Sequence, residues 1–252
     1  MQTLDMSGVT LSHPAGFAIE NHQHSTGQLS VVLQGTMMVS VEQGWWLVPP
    51  GSAFWIPPHV VHRSSYSEHA SLVNVHVGAS ASARLPPRCE PVIASDLLRE
   101  LAREVASLSD GNTLDAAAPL PWIFELIVYQ VQRQPRGAGL FVPNGTDPRL
   151  RHVTARLRAD PGCNATINQL AAEAGASVRT LSRLFRTETG MSARRWREHL
   201  RMVVAVDRLT RGNSIVDTAL SLGYASASSF TSLFTRLLGS PPRKYVMNLR
   251  KA

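Results

Sequence analysis

The stretch Leu170–Phe185, LAAEAGASVRTLSRLF, can be laid on Ala219–Phe234, ALSLGYASASSFTSLF, with one residue inserted after the glycine. Ala171 then matches Ala219, Gly175 matches Gly223, Ser177 matches Ser226, Leu181 matches Phe230, and Phe185 matches Phe234. The correspondence runs on through Gly190 and Gly239 to Trp196 and Tyr245. Each copy has the makings of a helix-turn-helix. A small residue lets two helices cross closely, a glycine permits the tight turn, and a serine caps the second helix. Helical periodicity then turns Leu181, Leu184 and Phe185 inward. It leaves Arg179, Thr180, Ser182, Arg183 and Arg186 on the other side, the polar face that a recognition helix presents to the major groove.

Charge agrees. Residues 1–146 hold 7 arginines and 11 acidic residues, a net −4, whereas residues 147–252 hold 18 basic and 7 acidic residues, a net +11. A basic segment joined to a mildly acidic one is the electrostatic footprint of a nucleic-acid binder. Two helix-turn-helix units in tandem within that segment argue against plain helical hairpins. No run of about 18 apolar residues predicts a membrane span. The first twenty residues lack the basic-then-apolar pattern of a secretory leader. Cys89 and Cys163 stand far apart and suit a reducing cytoplasm.

SVRTLSRLFRTETGMS followed by IVDTALSLGYASASSFTSLFTRLLGSPPRKY resembles the DNA-binding domain of AraC/XylS-type transcription regulators. The resemblance implies two helix-turn-helix units joined by a long helix, about 193–211, entering adjacent major-groove segments. Carried over by position, it implies base-edge contacts from Arg179, Ser182 and Arg183, and from Ser228, Ser229 and Ser232. Ser226 and Arg236 complete the second DNA-facing set. Val246 departs from the family, where an arginine usually follows the final tyrosine. Arginine donates bidentately to guanine while serine reads weakly, so the first unit is expected to carry most of the base specificity. The implied partners are double-stranded promoter DNA, an effector, RNA polymerase and a second copy of the chain.

Upstream, QLSVVLQG, TMMVSVEQG, WWLVPPG, AFWIPP and LVNVHVG are short β-rich runs punctuated by Gly and Pro, as expected of a sandwich or barrel. The period then changes. Leu97, Leu98, Leu101, Val105 and Leu108 form a helical stripe behind Ser95 and Asp96, and a second helix is expected after Pro121. The expected organisation is an effector-binding barrel over 10–85, a helical pair over 93–134 that the family resemblance assigns to dimerisation, a linker over 135–147, and an all-α DNA-binding domain over 148–252.

Gly16-x5-His22-x-His24-x3-Gln28-x6-Gly35 and Gly51-x5-Pro57-x-His59-x2-His62-x3-Tyr66 resemble the two motifs of the cupin β-barrel (double-stranded β-helix), with Gln28 for Glu, His59 for Gly and Tyr66 for Asn. Residues i and i+2 on a strand share a face, so His22 and His24 can point inward together and His62 can join them. With Gln28 they are candidate ligands for one divalent transition metal: zinc, nickel, iron or manganese. The same histidines could instead line a metal-free pocket for an organic effector. Trp46 and Trp55, one from each adjacent aromatic pair, are candidate pocket residues with His59 at the rim and Tyr66. His13, His69 and His76 fall outside the spacing and receive no role.

The whole is expected to be a ligand-responsive transcription regulator and not an enzyme, since Gln28 removes the carboxylate that would serve as a general base. The alternative is a metal-dependent cupin enzyme fused to a DNA-binding domain. Resemblance to a branch of the family with short cupin sensors further implies control of an adjacent transporter gene.

Overall fold

The computed structural model describes residues 5–110, 119–133 and 140–251. Parts of the expected helical pair (111–118 and 134) and of the expected linker (135–139) lie outside the described residues. In chain order the strands are β1 (Met6–His13), β2 (Ala18–His22), β3 (Gly27–Gln34), β4 (Met37–Val41), β5 (Gly44–Val48), β6 (Ser52–Ile56), β7 (His62–Ser65), β8 (Ala70–Val77), β9 (Glu90–Ile93) and β10 (Leu140–Pro143). The helices are α1 (Ala79–Ser82), α2 (Asp96–Ser109), α3 (Leu120–Gln132), α4 (Pro148–Ala159), α5 (Ile167–Glu173), α6 (Val178–Thr189), α7 (Ala193–Thr210), α8 (Ile215–Ser221), α9 (Ala227–Leu238) and α10 (Pro242–Lys251). The chain forms two units. Of the described residues, the first holds 5–41 and those from 48 to 133; the second holds Glu42–Leu47 and Leu140–Lys251.

The first unit is built on the antiparallel sheet β1-β8-β3-β6-β9. Strand alternation sends Leu29, Val31, Ala53, Trp55, Val73, Val75 and Val77 to one face, where α2 and α3 cover them with Leu98, Leu101, Val105, Phe124, Ile127 and Val131. Ser95 caps α2 by accepting from the Leu98 amide, and its hydroxyl also donates to Gln130 on α3. β1 lies so close to α2 that a Cβ on Gly8 would stand 2.6 Å from the Ala106 nitrogen. The even-numbered positions Gln28, Ser30, Asn74 and His76 face the other way, and the register sets Gln28 opposite His76 and Ser30 opposite Asn74. A second set of strands pairs β7 with both β2 and β4, which places His22 and Val41 each opposite His62. The sheet is wider than the 10–85 segment suggests. β9 adds an edge to β6, a position where Pro91 is tolerated.

The second unit realises the internal repeat. Ser177 and Ser226 each accept a backbone N–H at the start of α6 and α9. Gly175 and Gly223 take φ +62° and +75°, the left-handed turn that the repeat requires. Phe185 meets Trp196 edge-on at 5.9 Å, and Phe234 meets Tyr245 the same way at 5.5 Å. The connecting helix α7 buries Trp196, Leu200, Val203, Val206 and Leu209. Part of the expected linker is a strand: β10 pairs antiparallel with β5, Val142 opposite Trp45 and Phe141 opposite Trp46.

Two substitutions test this packing in opposite directions. Gly8→Val drives a branched side chain into the α2 backbone and is expected to cost about 3 kcal/mol. His59, at φ +62°, is the sole non-glycine in the left-handed region among the described residues. His59→Gly is expected to stabilise by up to about 1 kcal/mol. Denaturant unfolding of the full chain reads both.

Candidate functional site

The three motif histidines converge. His22 ends β2, His24 follows in the turn before β3, and His62 opens β7 opposite His22. Their ring nitrogens include one from each residue lying within 4.8 Å of the others. Ring centroids are 4.2 Å apart for His22 and His62, 5.0 Å for His24 and His62, and 5.7 Å for His22 and His24. In all three, Nδ1 is held by a nearby backbone carbonyl: Glu20 at 2.8 Å, Thr26 at 3.0 Å and Val60 at 2.9 Å. A carbonyl can only accept, so each Nδ1 carries a proton, which in the neutral ring leaves the lone pair on Nε2. The Nε2 atoms of His24 and His62 are buried with no hydrogen-bond partner among the described residues. Burial pushes the His62 ring down to about 4, against the Val60 hydrogen bond and with the help of the His22 and His24 rings, so it is neutral at physiological pH.

Imidazoles whose Nδ1 is bound to a backbone carbonyl turn Nε2 toward one another, as a first-row divalent metal requires of its ligands, and such carbonyl bonds are the outer shell that orients histidines toward a metal. The donors therefore fit such an ion. Gln28 is buried, and its amide donates to Ser30 Oγ at 2.8 Å along the same strand. His76, which the motif spacing does not reach, stands 5.6 Å from His24, edge-on, because the β3–β8 register carries it there. Its Nδ1 lies 3.4 Å from Thr26 Oγ1, and burial together with His24 lowers its pKa. Asn74, next along the same face, keeps a buried Oδ1 without a partner among the described residues.

The aromatic residues expected in the pocket go elsewhere. Trp55 is fully buried in the core under α2 and α3, its Nε1 donating to the Pro86 carbonyl at 2.8 Å. Trp46 belongs to the second unit, where it stacks on Phe141 at 4.2 Å, and Trp45 lies under the Arg158 guanidinium at 4.9 Å. β5 pairs with β10, and this pairing fixes both rings. Tyr66 is buried beside His13, at 4.5 Å, and Phe17; burial raises its hydroxyl to about 12. His59 has an exposed side chain, and its backbone N–H donates to the His24 carbonyl at 2.8 Å, pinning the turn that carries His24.

On the first recognition helix, α6, Arg179, Arg183 and Arg186 are exposed, while Leu181, Leu184 and Phe185 are buried. Spacings of four and three residues put the arginines on one side. Thr180 and Ser182 are half-buried, and the Thr180 hydroxyl is hydrogen-bonded to Ser177. On α9, Ser228, Ser229, Ser232 and Arg236 are exposed. Ser226 and Ser229 are engaged in the cap: the Ser229 amide donates to Ser226 Oγ, and the Ser229 hydroxyl donates to the Ser226 carbonyl. Ser228 and Ser232 are the serines of this helix whose hydroxyls the cap does not use.

Comparison with known proteins agrees with both halves. A helix-turn-helix domain model matches residues 170–248, and an AraC-like ligand binding domain model matches residues 9–124. The HTH-type transcriptional regulator NimR of Escherichia coli (strain K12) is 31% identical over 229 residues, covering 90% of this chain and 82% of NimR. The HTH-type transcriptional activator RhaS of Escherichia fergusonii is 24% identical over 245 residues, covering 90% of this chain and 87% of RhaS. The RCS-specific HTH-type transcriptional activator RclR of Escherichia coli (strain K12) is 27% identical over 251 residues, with 90% and 88% covered. An acidic β-barrel half and a basic half with a doubled helix-turn-helix thus have whole-length counterparts among regulators, and the chain belongs to the AraC family of DNA-binding transcription regulators with an N-terminal ligand-binding domain.

Proposed function

We propose that the regulator senses its effector at the His22–His24–His62 cluster, with a divalent transition metal held there by the three Nε2 atoms. The observation that carries this reading is the Nδ1–carbonyl lock common to all three rings. An all-imidazole set suits zinc, nickel or iron better than manganese, which favours oxygen ligands. When bound, the metal would supply a Lewis-acid centre. The chain's own residues orient the imidazoles, and burial holds the His62 ring neutral. The cluster lacks a carboxylate, and Gln28 supplies no base, which supports sensing over catalysis. Effector binding must favour one arrangement of the DNA-binding unit over another, because equal affinity for two states shifts neither.

The same reading assigns the exposed side of α3 to a second copy of the chain. Trp122, Leu126 and Tyr129 are 75%, 42% and 57% exposed and recur at helical spacing on one face. Isolated monomers rarely leave such an apolar stripe in water.

Three measurements test these statements. His62→Ala is expected to abolish stoichiometric zinc or nickel in purified protein by elemental analysis and to weaken cobalt(II) binding by roughly a hundredfold; unchanged metal content refutes the metal assignment. Arg183→Ala is expected to lose about 1–3 kcal/mol of discrimination at one base pair of a mutated-operator series, and Ser228→Ala less than half of that. Leu126→Asp is expected to convert dimer to monomer in sedimentation equilibrium without loss of metal.

A further inference from the structure

The first three turns of α7 carry arginines 194, 197 and 201 toward one cavity of about 330 Å³. Its wall is completed by Thr166 at the start of the first helix-turn-helix and by Tyr224 and Leu233 of the second. The charge there is unbalanced. Arg194 pairs with Glu198 at 3.0 Å. Among the described residues, Arg197 and Arg201 have no carboxylate within ion-pair distance.

The two guanidiniums have different jobs. Arg201 is 9% exposed. It donates to the carbonyls of Pro161 and Cys163 at 2.9 and 3.0 Å and to Asn164 Oδ1 at 3.0 Å, so it is a fixed pillar and a source of positive charge. Arg197 uses one Nη to donate to the Ala165 carbonyl at 2.7 Å, and its Nε is buried without a partner among the described residues. The Tyr224 hydroxyl is buried and its O–H finds no acceptor among the described residues; its oxygen faces the Arg201 guanidinium as a hydrogen-bond acceptor, and its ring lies 5.3 Å from the guanidinium carbon, with the Glu198 carboxylate farther along the same wall. Burial, with the Arg201 charge beside it, lowers the Arg197 pKa. An anion between these groups would relieve that repulsion and satisfy both idle donors.

We infer that this cleft binds a phosphate group, with Arg197 Nε and the Tyr224 hydroxyl donating to its oxygens and Arg201 supplying attraction from the wall. A tetrahedral dianion or diester accepts from several directions at once, which fits a guanidinium edge and a phenol better than a single planar acceptor does. The phosphate has two possible sources of one chemistry, the DNA backbone or a free phosphate-bearing molecule. In either case it is gripped by both helix-turn-helix units together.

The test uses the full chain, with Arg197→Gln to remove the charge and Tyr224→Phe to remove the hydroxyl alone. In one arm, binding to a duplex of arbitrary sequence is followed against salt. Arg197→Gln is expected to make the slope of log K against log salt shallower by about 0.9, and Tyr224→Phe to weaken binding roughly tenfold at fixed salt with the slope unchanged. In the other arm, inorganic phosphate and pyrophosphate are titrated calorimetrically without DNA, and each variant is expected to lose roughly tenfold in affinity. A response in the DNA arm assigns the site to the backbone, and a response in the calorimetric arm assigns it to a free anion. Folded variants that alter neither DNA binding nor anion binding overturn the inference. Should Arg197→Gln fail to fold, Tyr224→Phe decides it alone.

Discussion

The buried guanidinium of Arg201 is the interaction on which the DNA-binding unit depends. Taking a charge out of water costs several kcal/mol unless other dipoles replace its hydration shell. Here carbonyls from Pro161, Gly162 and Cys163 and the Asn164 side chain do so. The planar fork reaches them all from one helix position, which a lysine ammonium could not. The second helix-turn-helix closes on the same group. A Cβ at Gly223 would stand 2.4 Å from the Gly162 carbonyl oxygen and 3.1 Å from an Arg201 Nη. The turn of the second helix-turn-helix and the loop leading into the first are thus held against one cation.

Much of that unit was legible in the chain because the repeat supplies a control. A pattern seen once is a guess, whereas Gly175 and Gly223, Ser177 and Ser226, and the Phe–aromatic pairs each check the other. The left-handed turns, the serine caps and the edge-on rings all stand where the alignment sets them. The capping role also shows why a serine at the start of α9 is a poor guide to DNA contact: Ser226 and Ser229 already serve the helix end. Arg197 and Tyr224 escaped notice because neither belongs to a local period; only α7 and the second turn bring them to one cavity.

In the barrel, spacing found the three histidines, since strand alternation is a local rule. What spacing cannot carry is pairing register. His76 reaches His24 because β8 pairs with β3 in one register and not its neighbour, a choice made by Val73, Val75 and Val77 seeking the helices. The Nδ1 locks are equally invisible from residue types, as their acceptors are backbone carbonyls. Trp46 and Trp55 show the limit most plainly. An aromatic residue beside a motif can face a pocket, a core or another strand, and these two take the last two options.

The strand that captures Trp46 has a consequence for how the molecule can be divided. β10 finds its hydrogen-bonding partner in β5, Trp196 Nε1 holds the Pro143 carbonyl at 2.7 Å, and Asn144 is tied to Glu42 and Gln43. The helical unit is therefore completed by six residues encoded a hundred positions upstream. A fragment cut at the linker would retain every DNA-facing side chain and yet carry a bare strand edge, with Phe141 stripped of its stacking partner and Arg158 of its indole.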